Sequence, residues 1–408
     1  WVGTKTKGLS KWNSRTWAYG LEPGKEITAR QDANPVVTSF TTDNSGRVWI
    51  GTFGEGVNAI NRSTGEVVRY RHDPANSQSI SDDRVMSLLR DSSGKIWIGT
   101  MTKGIDRLDP TSGQIDRFRF DAEDPTSLSA NGIMAIYEDS AGQVWVGTFG
   151  GGISRFNSDS QTFDRFANDP SNPNSLSSDR VTSFAEDSNG MLWVGTDAGG
   201  LNLFNPSSEQ FARFRHNADD ITTLADDTVY ALNVDARGSV WIGTRGGGLD
   251  KVIGDSRNPG SIQFENISTV DGLANDVVYG VHFDDAGLIW MSTNYGISRY
   301  NPSTGQFKNL HRIDGLQSEE FNFGAHYRSE TGELFFGGGN GYNAFEPEKL
   351  TASSAVPAII LTGFYNMSDP TKSDLPIDED TGLDLGWRDD VVSFEFAALD
   401  FAAPSANQ

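Results

Sequence analysis

Residues 139–153 read Asp139-Ser140-Ala141-Gly142-Gln143-Val144-Trp145-Val146-Gly147-Thr148-Phe149-Gly150-Gly151-Gly152-Ile153, and versions of this phrase return along the whole chain. Val144-Trp145-Val146 is β-branched and aromatic, the composition of a strand. Both flanks carry turn chemistry: Asp139 can bond its own following backbone, and the glycines accept positive φ. Trp1, Trp49, Trp97, Trp145, Trp193 and Trp241 each open Trp-Ile/Val-Gly-Thr at a spacing of 48 residues. Trp290 follows one residue late as Trp-Met-Ser-Thr, and Phe335-Phe336-Gly337-Gly338 closes the series. A period of roughly 40 to 50 residues with one aromatic per unit is the pattern of a β-propeller, one four-stranded blade per repeat.

Residues 130–177 show one unit complete. Ile133 to Tyr137 is apolar enough for an inner strand, Gln143 to Thr148 is the second, Ile153 to Phe156 the third and Phe163 to Phe166 the outer one. A polar stretch, Asn168 to Ser178, crosses to the next unit. Asp43, Asp91, Asp139, Asp187, Asp235 and Asp284 recur at one turn per blade. That places them on a ring of one radius, too far apart to share a metal or a proton, so they read as turn residues. The indoles read as packing between neighbouring blades.

Inner strands are expected to begin near Pro35, Asp83, Asn131, Asp179, Asp227, Asp276 and Asn322, which makes seven. The last unit runs through Tyr342 to Phe345 without a fourth strand, and Arg15-Thr16-Trp17-Ala18-Tyr19 near the N-terminus supplies an outer-strand pattern. The expected fold is therefore all-β: a seven-bladed propeller of four-stranded antiparallel blades, closed by strands from both ends, with eight blades as the alternative. Closure removes the free strand edge. Residues 1–12 read as the remnant of an upstream propeller blade and 13–350 as the propeller. Residues 351–408 lose the period. There, strands at Pro357 to Phe364 and Val391 to Phe396 suggest the start of a truncated immunoglobulin-like β-sandwich.

The net charge of −22 opposes binding to phosphate backbones, which excludes a nucleic-acid partner class. The sequence contains no cysteine, so disulfides and thiolate chemistry are excluded. No run of 18 apolar residues offers a membrane span. No cofactor or metal motif appears.

The unit Asp-x-x-Gly-x-Ile/Val/Leu-Trp-Ile/Val-Gly-Thr-x-x-Gly-Gly-Ile/Leu, intact at Asp139–Ile153 and Asp187–Leu201, resembles the two-component regulator propeller repeat. Ser393-Phe394-Glu395-Phe396-Ala397-Ala398-Leu399-Asp400-Phe401 is similar to the opening of the immunoglobulin-like domain that follows such propellers. The resemblance implies a periplasmic, non-catalytic sensor ectodomain of an inner-membrane protein. A second propeller would lie upstream, and a membrane helix with a histidine kinase or diguanylate cyclase downstream. It also implies homodimerisation of the full-length protein and oligosaccharides or other small polar molecules as ligands.

In a propeller the turns joining second to third strands, and the connections entering inner strands, share one face around the channel, the default place for a ligand. Phe53, Phe149 and Tyr295 there offer stacking surfaces. Glu55, Lys103, Asp197 and Arg245 offer polar groups, and Arg84 and Arg180 at inner-strand entries offer paired donors. Tyr342 is expected near the last such turn. The competing class is a propeller-fold carbohydrate-active lyase or hydrolase, for which His72, His216, His282, His311 and His326 are the candidate bases. Of these, His282 and His326 fall in inner strands, where packed histidines are the expectation. A quinone-cofactor enzyme would need a constellation the sequence lacks.

Overall fold

The computed structural model describes residues 35–350 throughout, and outside that span the backbone of five strands: Val2–Thr4, Gly8–Ser10, Leu21–Pro23, Ile359–Asn366 and Val392–Ala398. Six consecutive blades are each built from four neighbouring strands in chain order. In the third blade these are Ile133–Glu138, Val144–Thr148, Ile153–Asn157 and Thr162–Phe166. The seventh is composite: Phe321–Arg328, Leu334–Gly338 and Gly341–Phe345 take Leu21–Pro23 as their outer strand, with Leu21 opposite Asn343 and Pro23 opposite Gly341. The ring has seven blades, so the eight-bladed alternative falls. Closure from both ends holds, but through Leu21–Pro23; Arg15 to Tyr19 lie outside the described residues.

The inner strand of the seventh blade lies beside that of the first, Val37–Thr42. Tyr327 Oη and Thr42 Oγ1 stand 2.8 Å apart across this seam, and Asn322 Nδ2 donates to Val37 O at 2.8 Å. The core is divided into seven clusters, most of them between successive blades. Trp49 of the first blade packs with Val85, Leu88, Ile96 and Ile98 of the second. An indole buries roughly 150–250 Å², worth on the order of 4–6 kcal/mol before entropy is counted. The glycine after each Trp-x pair has a steric cause. A Cβ on Gly147 would come within 2.7 Å of Val181 Cγ1 in the next blade.

The turn aspartates do more than close their turns. Asp43 Oδ1 accepts from the backbone of Ser45 and Arg47, while Oδ2 accepts from Trp49 Nε1 at 2.9 Å. The same bond joins Asp91 to Trp97, Asp139 to Trp145, Asp187 to Trp193, Asp235 to Trp241 and Asp284 to Trp290. Each buried indole N–H thereby finds the partner that burial demands.

The chain divides into two compact units, Thr16–Leu350 and a second comprising Trp1–Arg15 with Thr351–Gln408. In the second, Val2–Thr4 pairs with Gly8–Ser10 and Ile359–Asn366 with Val392–Ala398, both antiparallel. No helix among the described residues is long and apolar enough to cross a membrane.

Candidate functional site

One face of the ring is clamped by a repeated backbone pattern. Gly54 and Gly56 N–H of the first blade both donate to Asp83 O at the entry to the second, and Gly150 and Gly152 do the same to Asp179 O. The threonine of each Trp-x-Gly-Thr phrase locks the turn from within: Thr148 Oγ1 donates to Gly152 O and accepts from Gly151 N. These loops are therefore a rigid platform, and their side chains are displayed rather than adaptable.

Of the ten residues expected there, Phe53, Phe149 and Tyr295 are half exposed, at 45, 54 and 53%. Their polar neighbours are largely occupied. Arg84 holds Asp82 through Nε and Nη2 at 3.1 and 2.9 Å and reaches Thr102 Oγ1 at 2.8 Å. Arg180 lies over the Phe149 ring at 5.5 Å and pairs with Asp197 at 3.1 Å. Glu55 faces Arg71 at 3.5 Å, and Tyr295 packs on His311 at 4.7 Å. Lys103 sits at the exposed second-blade turn, its carbonyl taken by Arg119. Tyr342 is a correction: it is 1% exposed, in the core beside Phe40 and Phe335, because it belongs to a strand and not to the turn before it.

The inner strands supply what the turns do not. Each of the first six carries a register shift at one position: Thr38, Met86, Met134, Thr182, Tyr230 and Tyr279. A bulge there re-aims a side chain that regular alternation would direct elsewhere. In the seventh blade the irregularity spans four residues, Asn322 to Ala325, in place of one. Gly324, at φ +74°, comes close to the carbonyls of Thr38 and Met86, while Phe323 lies 5.2 Å from the Tyr230 ring. The seventh blade thus reaches over the channel entrance from the first two blades to the fifth.

Tyr230 stacks on Tyr279 at 5.4 Å, making a ledge of three half-buried rings with Phe323. Tyr279 Oη donates to Asn294 Oδ1 at 2.8 Å. Burial raises the Tyr230 phenol, opposed by the nearby charge of Arg245. Among the described residues no carboxylate lies within 4.0 Å of the Arg245 guanidinium. Aromatic faces beside an amide and a guanidinium that bonds a phenol but no carboxylate can stack against a ring and bond its substituents. Tyr230, Tyr279 and Phe323 were missed in the sequence, although Thr, Met, Met, Thr, Tyr, Tyr at one repeat position was readable as the variable site.

The histidines form no comparable centre. His72 and His216 follow the outer strands and brace the connections, each Nδ1 contacting a backbone carbonyl, Ile80 O at 2.9 Å and Leu224 O at 2.8 Å. His282 Nε2 and His326 Nδ1 meet at 3.0 Å between the sixth and seventh blades, with Asn233 Nδ2 3.3 Å from His282 Nδ1. Burial pushes both imidazoles down, His326 to about 4. No group of three or more potential metal ligands occurs among the described residues.

Residues 31–54, 79–102, 127–150, 175–198 and 223–246 match the two component regulator propeller family, so the chain carries that repeat in five copies. The extracellular domain of a protein assigned to the hybrid two component systems of B. thetaiotaomicron superposes with a TM-score of 0.72 at 25% identity, over 91% of this chain and 47% of that one. Histidine kinase P4 of Formosa agariphila is 30% identical over 123 residues, 28% of this chain and 9% of the kinase. The chain thus spans about half the length of the solved ectodomain and a small part of the kinase. An inactive virginiamycin B lyase from Staphylococcus aureus superposes with a TM-score of 0.58 over 77% of this chain and 96% of the lyase. At 15% identity that likeness speaks to the fold alone.

Proposed function

We propose that this propeller is the non-catalytic ligand-sensing part of an extracytoplasmic bacterial receptor, and that it binds a small polar ligand, an oligosaccharide first, at the channel mouth. The observation that carries this reading is the ledge of Tyr230, Tyr279 and Phe323 beside Arg245 and Asn294. Flat rings suit the apolar faces of sugar rings, and the polar rim suits their hydroxyls. The five family repeats and the likeness to a sensor ectodomain support the signalling role. The flanking segments would be an upstream propeller and a downstream immunoglobulin-like domain, relaying occupancy to a cytoplasmic kinase or cyclase in a homodimer.

Among the described residues the five candidate bases of the lyase or hydrolase alternative are all engaged, His311 with Glu319 at 3.3 Å. His282 and His326 are turned on each other in a seam, and His72 and His216 are spent on loop carbonyls. Thermal-shift screening against oligosaccharides tests the proposal, because a ligand specific for the folded state raises its melting temperature. A saturable rise with no turnover is expected. Cleavage of the same glycans, or no response from any of them, would overturn it.

A further inference from the structure

The opposite face, where first-to-second and third-to-fourth turns lie, holds a cavity of about 250 Å³ between the fourth and fifth blades. Its wall is a local departure from the repeat. The fifth blade joins its third and fourth strands through residues 254–262, whereas the fourth blade uses only 206–209. This longer connection is fastened to the fourth blade by Asn189 Nδ2, which donates to Ser256 Oγ at 2.9 Å, and Ser256 is buried. The third turn position carries small residues such as Ser45, Ser93, Ala141 and Ala286 in other blades. In these two adjacent blades it carries Asn189 and Arg237, and both line the cavity.

The local charges are unevenly engaged. Asp187 is saturated by Asn189 N, Met191 N and Trp193 Nε1, and Asp235 by Arg237 N, Ser239 N and Trp241 Nε1. Asp255 pairs with Arg257 at 2.8 Å. Among the described residues no carboxylate lies within 4.0 Å of the Arg237 guanidinium. In a chain of net charge −22, an unclaimed guanidinium facing a polar cavity is a directed feature. Its fork matches a carboxylate with two parallel bonds. Asn189, Ser239 and Ser256 offer the amide oxygen and hydroxyls that a polyol would meet.

We propose that this cavity is a second, independent ligand site for a small hydroxylated carboxylate of about monosaccharide size, with Arg237 holding the carboxylate and Asn189 and Ser256 the hydroxyls. It lies on the face away from the channel-mouth ledge and does not depend on that site. The test is calorimetric titration of the whole chain with D-glucuronate, and with D-glucose as the neutral counterpart. Glucuronate is expected to bind saturably at millimolar concentration and glucose roughly tenfold or more weaker, the ratio a charge-assisted pair gives. Arg237→Gln, an exposed change that leaves the turn intact, is expected to lower glucuronate affinity by a similar factor, and Arg69→Gln, on the exposed outer strand of the first blade, to leave it unchanged. No saturable glucuronate binding, equal binding of both sugars, or undiminished binding by Arg237→Gln would each overturn the proposal.

Discussion

Blades one to five and blades six and seven follow different rules. The first five match the family repeat; the last two do not. In blades one to five the second strand carries glycine where it meets the next blade, and the inner strand opposite carries serine or alanine, as in Ser39 with Gly51 and Ala135 with Gly147. Blade six reverses the pair, Gly280 with Ser292, and a Cβ on Gly280 would come within 2.5 Å of His326 Cγ. The swap makes room for an imidazole where the other blades place Phe40, Leu88, Ile136, Phe184, Leu232 or Val281. Blade seven changes the indole lock as well: Ser329 and Phe335 stand six apart, as Asp and Trp do elsewhere. Phe335 has no N–H to satisfy, and Ser329 Oγ is engaged within its own turn, accepting from Glu333 N at 3.0 Å and lying 2.9 Å from Thr331 Oγ1. Where scaffold rules relax, polar and aromatic groups gather, and the ring is closed there too.

The largest effect expected from breaking this contrast is at the closure. A chain lacking residues 1–24 loses Leu21–Pro23, leaving the seventh blade with three strands and the edge of Gly341–Phe345 exposed. Its unfolding should lose a single cooperative transition, and the protein should aggregate, which calorimetry and light scattering would detect. Unchanged cooperative melting would argue that the composite blade is dispensable.

The histidine seam predicts acid sensitivity. Burial depresses both folded-state values, so between the ordinary histidine value and about 4 the unfolded chain holds more protons than the folded one. Stability from His326 is present above roughly pH 6.5 and is lost as pH falls through that window, by roughly 1.4 kcal/mol per pH unit at most, with His282 acting in the same direction. His326→Leu, the residue type of the regular blades, should flatten the slope while costing some stability at neutral pH through the orphaned His282 N–H. Denaturant midpoints across pH would show it, and an unaltered slope would place the acid response elsewhere.

Within the regular blades, Gly147→Ala drives a methyl against Val181 and should cost about 1–3 kcal/mol by overpacking. The corresponding Gly280→Ala tests the reversed pair and should cost at least as much. A smaller effect sits in the indole lock. Asp187→Ser and Trp193→Phe copy blade seven into blade four, and a double-mutant cycle should give a coupling of roughly 0.5–1.5 kcal/mol for the lost hydrogen bond. Strict additivity would mean that the bond contributes nothing.

The repeat made most of this legible from sequence. Trp spacing gave the blades, the turn aspartates were scaffold, and the need for an N-terminal closing strand was apparent. The closing strand that the structure describes is Leu21–Pro23, fixed by its register on Gly341–Phe345, and Arg15 to Tyr19 lie outside the described residues. Tyr342 was misplaced because its distance from a glycine turn was counted, not its strand face. The Asp–Trp bond was visible as a constant spacing of six, but hydrogen bonds leave no mark on hydropathy. The ledge was hidden because a bulge breaks the period-two alternation that sequence reading assumes. Tyr230 and Tyr279 then look like ordinary strand residues.

The ledge is the claim most worth confronting. With whichever oligosaccharide gives the strongest thermal shift, titration of Tyr230→Ala, Phe323→Ala, Phe53→Ala and Phe149→Ala would separate the two halves of the face. The account predicts that affinity falls tenfold or more in the first two, about 1.4 kcal/mol or above, and stays near wild type in the others. Loss confined to Phe53 and Phe149 would contradict it and move recognition to the turns of the first and third blades.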